Sequence, residues 1–187
     1  MLRFLLISLI CLYGLYSMAQ ENIQSLCSQT AAMAKVAVYK TPTGNVTADF
    51  IVVDKSRRLL HLLKEGVIIR SYRVSLGSQP LGAKHQEGDN KTPEGLYSID
   101  SKNSASDYTL ALHVSYPNQD DINWARQHGV SPGGDIMIHG LPNVWWKRAF
   151  IHDGMDWTKG CVAINHDDQI DEVFTFVKTG TPIELCQ

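Results

Sequence analysis

Asp135-Ile136-Met137-Ile138-His139-Gly140, answered across a loop by Asp156-Trp157-Thr158-Lys159-Gly160-Cys161-Val162-Ala163-Ile164-Asn165, is the part of the chain around which the rest can be arranged. The first run reads as a short apolar strand that delivers His139 at its end, and the second as a glycine-flanked turn that delivers Cys161. A thiol of ordinary pKa, about 8.5, is mostly protonated at neutral pH. A nucleophilic Cys161 therefore needs a neighbouring base or positive charge, and His139 is the candidate base, with Lys159 a nearby cation that would favour the thiolate. Gly160 leaves room for a carbonyl group beside the sulfur, and the N–H of Cys161 with a neighbouring amide is a candidate oxyanion site. The separation of the two residues is too long for a metal pair on one helical turn. It suits a strand end and a loop that meet across a cleft.

This order of residues resembles the catalytic domain of the L,D-transpeptidases, whose motif is His-Gly, a loop, then Ser/Thr-x-Gly-Cys-Ile/Val. The matching residues are His139-Gly140 and Thr158-Lys159-Gly160-Cys161-Val162. The common form often has His at x and continues with Arg, where this chain has Lys159 and Ala163, so the resemblance is to a divergent branch. A separate stretch, Thr92-Pro93-Glu94-Gly95-Leu96-Tyr97, resembles the Thr-Pro-x-Gly-x-Tyr wording that lies upstream of His-Gly in the same family.

The resemblance runs from about Ala48 to Leu185 and implies a mainly β fold, a sandwich or distorted barrel with a few short helices. It implies an exported cell-wall enzyme that works on peptidoglycan stem peptides through a thioester. Cys161 would be the nucleophile and His139 the base, oriented by the Gly140 carbonyl, with no metal or organic cofactor. Thr158 and Lys159 are the expected substrate contacts. One alternative keeps the thioester but resolves it with water, giving a hydrolase of stem peptides, cross-links or wall-attached protein. Another, from a different class, is a wall-binding domain that does not turn over.

Composition narrows the field independently. A chain of 187 residues can bury one sizeable core, and 44% hydrophobic residues argue against wholesale disorder. A net charge of -2 with no basic run offers no footprint for nucleic acid. Arg3, the apolar stretch Phe4 to Tyr16 and Ser17-Met18-Ala19 read as a cleavable export signal over residues 1–19, too short for a retained membrane anchor, and place the mature chain in the periplasm or cell wall. Removing the signal takes Cys11 and leaves Cys27, Cys161 and Cys186. An odd count in an oxidising compartment points to one free thiol, and pairing Cys27 with Cys186 would leave it at Cys161. The seven histidines invite a metal reading, but no H-x-x-x-H or C-x-x-C pair is present. His152 is a rival base on a loop, and His166 reads as a surface residue before a helix.

The remaining elements follow from periodicity. Residues 20–47 form an arm with a short helix expected over Asn22 to Lys35, and the catalytic unit spans 48–187. Phe50–Asp54, Leu59–Leu63 and Val67–Leu76 make a meander with short turns, in which His61 is expected to face solvent. Strands follow at Leu96–Ile99 and Leu110–Tyr116, then a helix over Asn118–His128 with Asn118 or Asp120 as its cap. Val144–Ile151 is expected to be a short helix that buries at least one of Trp145 and Trp146; a sharper reading makes it a cleft wall with Lys147 or Arg148 on a substrate carboxylate. The spacing of Ile170, Val173, Phe174 and Val177 predicts a helix over Asp167–Val177, and Thr181–Leu185 a last strand.

Overall fold

A computed structural model describes residues 46–187. The expected signal segment, nearly all of the arm and Cys27 lie outside the described residues. The β-branched run at Phe50 forms β1 (Phe50–Asp54), which reverses into β2 (Leu59–Lys64) and again into β3 (Val67–Ser75). The second reversal places Glu65 and Gly66 both at positive φ, 51° and 74°, the backbone of a tight two-residue hairpin turn. β4 (Gly95–Ser106) and β5 (Thr109–Val114) form a second hairpin, followed by α1 (Gln119–His128), β6 (Met137–His139), α2 (Trp145–Arg148), β7 (Val162–Ile164), α3 (Asp167–Phe176) and β8 (Pro182–Cys186).

The eight strands close into a barrel in the order β1-β2-β3-β7-β6-β5-β4-β8. β8 fills the last gap, parallel to β1 on one side and antiparallel to β4 on the other. Inside sit Ile51, Val53, Leu60, Leu62, Ile138 and Ile183, and α3 adds Ile170 and Val173 to the same core. Burying each such side chain contributes about 1.5–3 kcal/mol. α1 is held at both ends by its sequence: Asn118 and Asp121 form a reciprocal capping box, and Gly129, at φ 68°, closes the other end.

Three local expectations need correction. His61 does not face solvent: it is fully buried, and its Nδ1 lies 2.6 Å from the Ser71 hydroxyl, because β1 and β2 are covered on both faces. Neither Trp145 nor Trp146 enters the core; they are 79% and 51% exposed, and α2 buries no residue. The strand beginning near Leu96 does not stop at Ile99 but continues through the polar run Asp100 to Ser106, where pairing with β5 overrides weak strand propensity.

Candidate active site

β6 and β7 are parallel neighbours, with Ile138 opposite Val162 and His139 opposite Ala163. Cys161 immediately precedes β7, so the ladder that carries His139 also fixes the start of the strand that Cys161 leads into. His139 and Cys161 line one cleft of about 410 Å3, together with Tyr108, Asp135, Trp157 and Lys159. Thr158, also on the cleft lining, is buried.

The imidazole is tightly specified. His139 is 5% exposed and packs between Tyr108 and Trp157, whose ring centroids lie 4.6 and 5.6 Å away. Its Nδ1 is 2.7 Å from the Gly140 carbonyl. A carbonyl oxygen only accepts, so Nδ1 carries the proton and Nε2 presents its lone pair. Gly140 itself packs too closely for a side chain: a Cβ there would stand 3.0 Å from Ile170 of α3 and 3.1 Å from the Tyr108 carbonyl.

The turn before Cys161 is braced from within and from below. The Thr158 hydroxyl donates to the Cys161 carbonyl at 2.7 Å and accepts the Gly160 N–H at 3.1 Å. Gly160 has φ 134°, and a Cβ on it would meet the Lys91 carbonyl at 2.7 Å. Its role in this conformation is close approach to the 91–92 backbone, since its amide is already taken by Thr158 and is not an oxyanion donor. The floor beneath is pinned by Lys55, a fully buried ammonium that donates to the carbonyls of Gly82 and Thr92 and to the Glu94 carboxylate at 2.8, 3.0 and 2.7 Å. Thr92 in turn accepts the Gly77 N–H, and Gly77 bridges to Thr158. Asp156 fixes the entry to the turn by accepting the Leu76 N–H and pairing with Arg58 at 2.8 Å.

Cys161 is a free thiol, whereas Cys186 is disulfide-bonded. Burial pushes the Cys161 thiol above its ordinary pKa and the Asp135 charge pushes it the same way; the Met137 amide and the Lys84 ammonium act in the opposite direction. The favourable cation is thus Lys84, ion-paired with Asp89 at 2.8 Å, where the sequence had suggested Lys159. Burial likewise holds the His139 imidazole below its usual pKa, with the Gly140 hydrogen bond a smaller opposing effect. Both shifts favour a neutral thiol and a neutral imidazole in the free protein.

The other expected site residues separate clearly. Lys159 is exposed on the cleft, while Arg148 is absent from its lining. The Arg148 guanidinium is held by the Pro142 carbonyl at 2.6 Å, Asp167 at 2.7 Å and Thr109 at 3.3 Å. His152 and His166 are exposed and do not line the cleft, and among the described residues no cluster of ligands suits a metal ion. Lys55 and Asp156 are positioning residues that the sequence reading missed. Their only signal was a charged residue at the end of a strand and another just before the Thr-x-Gly-Cys turn.

A closed barrel with a histidine at a strand end and a cysteine on the adjoining turn, both lining one cleft, defines the class of scaffold, and comparison with known proteins identifies the family. The family model of the L,D-transpeptidase catalytic domain matches residues 48–185. YafK of Escherichia coli (strain K12) is 33% identical over 135 residues, which cover 68% of this chain and 46% of YafK. Among solved structures, the helical cell shape determining protein Pgp2 from Campylobacter jejuni aligns with TM-score 0.57 at 22% identity, covering 86% of this chain and 55% of that one. Bd1075 of Bdellovibrio bacteriovorus aligns with TM-score 0.52 at 27% identity, covering 78% of this chain and 50% of that one. The chain belongs to the L,D-transpeptidase catalytic domain family. It spans about half the length of these relatives.

Proposed function

We propose that this protein is an exported, cysteine-dependent L,D-transpeptidase acting on peptidoglycan stem peptides. The observation that carries the reading is the free thiol of Cys161 in one cleft with an imidazole whose Nδ1–H is committed to the Gly140 carbonyl. Nε2 of His139 takes the thiol proton as the sulfur attacks the carbonyl of the stem residue with an L-centre, next to a terminal D-amino acid. The C–N bond breaks, the imidazolium returns that proton to the leaving amine, and a thioester remains. An amine of a second stem peptide then attacks, losing its proton to His139, and Cys161 leaves as the thiol. Backbone amides of the 159–161 turn, other than that of Gly160, are the donors for the oxyanion. No step requires a metal or organic cofactor.

One observation favours a second reading, in which water resolves the thioester and the protein trims stem peptides, cross-links or a wall-attached protein. Ala163, fully buried opposite His139, puts a methyl group where the common motif has Arg, removing one group available to hold a second peptide. Mass spectrometry of a disaccharide tetrapeptide incubated with the purified protein separates the two. Cross-linked dimers are expected; shortened monomers alone would select hydrolysis, and unchanged substrate would refute both. Because the Pgp2 relative is described as cell-shape determining, cell shape is the phenotype to score on deletion.

A further inference from the structure

Among the residues lining the cleft, one carries a fixed negative charge and one a fixed positive charge: Asp135 and Lys159. The Asp135 side chain is 94% exposed, with His113 Nε2 4.0 Å away, and that histidine is already bound through Nδ1 to Asp100 at 2.7 Å. The Asp135 backbone sits at φ 54°, a left-handed conformation that costs a non-glycine residue about 1 kcal/mol or more. Its backbone carbonyl lies 3.5 Å from the Cys161 sulfur, so the residue that bears this charge is a direct neighbour of Cys161. Lys159 is exposed and takes part in none of the ion pairs among the described residues. The cleft therefore presents an anion and a cation whose charges the protein itself leaves largely unmet.

We propose that Asp135 and Lys159 read a zwitterionic amino-acid centre on the stem peptide, its ammonium on the Asp135 carboxylate and its carboxylate on the Lys159 ammonium. This rests on the stem-peptide reading above and specifies which part of the peptide the cleft selects. It also accounts for an otherwise unhelpful charge. Asp135 works against formation of the Cys161 thiolate; a substrate ammonium seated on Asp135 cancels that field, so the nucleophile is activated with substrate in place and kept neutral without it.

Calorimetry on Cys161→Ala protein separates recognition from turnover. The probes are a tetrapeptide whose third residue is a diamino dicarboxylic acid with its distal ammonium and carboxylate free, the same peptide acetylated on that amine, and the same peptide amidated on that carboxylate. Acetylation is expected to weaken binding about tenfold, an effect that shrinks at high salt. Adding Asp135→Asn abolishes the difference between free and acetylated peptide, and adding Lys159→Gln does the same for the amidated one. In protein that retains Cys161, Asp135→Asn speeds alkylation by neutral iodoacetamide and lowers kcat/KM for the free peptide with the melting temperature unchanged, whereas a loosened fold that merely uncovers the thiol lowers the melting temperature as well. The proposal is overturned by an Asp135→Asn protein that still distinguishes free from acetylated peptide, or by Cys161→Ala protein that binds the three probes equally or not at all. Those results leave the acyl-transfer reading standing. That reading falls separately if Cys161→Ala turns over stem peptide as fast as the parent.

Discussion

Acidification should destabilise this domain through His61 well before most of its carboxylates protonate. The imidazole is fully buried on β2, its Nε2 lacks a hydrogen-bond partner, and burial, aided by the Arg57 charge, pushes its pKa down from 6.5 to about 4. In the unfolded chain the same group takes a proton near 6.5. Between those two values the unfolded state holds a proton that the native state refuses, so stability is complete above pH 6.5 and falls as the pH drops toward 4. At about 1.4 kcal/mol per pH unit, that window corresponds to about 3 kcal/mol, a large share of the 5–15 kcal/mol typical of a domain. Urea unfolding of the parent and of His61→Gln, each measured from about pH 7.5 to 4, isolates the contribution, because all other titrations are common to both proteins. The parent should lose about 3 kcal/mol more than the variant over this range. Parallel pH profiles would refute the reasoning.

Three other outcomes can be measured with the same preparations. Gly160→Ala should lower turnover by about two orders of magnitude and cost about 1–3 kcal/mol, since a Cβ would stand 2.7 Å from the Lys91 carbonyl in a turn at φ 134°; steady-state kinetics and melting report both. The rate of Cys161 alkylation should go on rising beyond pH 9.0, because burial favours the neutral thiol, and a plateau near neutrality would instead reveal a preformed ion pair. Arg148→Ala should destabilise by about 1–3 kcal/mol with KM unchanged, as its guanidinium ties α2 to Pro142, Thr109 and Asp167. A raised KM with unaltered melting would return Arg148 to the substrate.

The meander, α1 and α3 were legible because each follows one local rule: short apolar runs separated by turn residues, an Asn118 cap, and helical spacing from Ile170 to Val177. The mainly β fold came from the His-Gly and Thr-x-Gly-Cys wording, which periodicity alone could not have turned into a barrel. β7 was invisible as a strand, since three residues carry no period, and it exists because β3 and β6 flank it. His61 and the two tryptophans of α2 misled for a common reason: exposure depends on what covers a face, and that is a tertiary property. Lys55 escaped notice because a lysine in a turn normally reads as solvated, and only the approach of the carbonyls of Gly82 and Thr92 makes it a buried clamp.

The place of β8 between β1 and β4 has a consequence for how the molecule is made. The first strand of the barrel waits for the last, so a chain emerging from the ribosome carries two unpaired edges until residues 182–186 arrive. Closure is therefore a late event of high contact order, and the interval before it is when the protein depends most on being kept from its neighbours. Deleting those five residues would leave an open, adhesive sheet in place of a slightly weaker barrel.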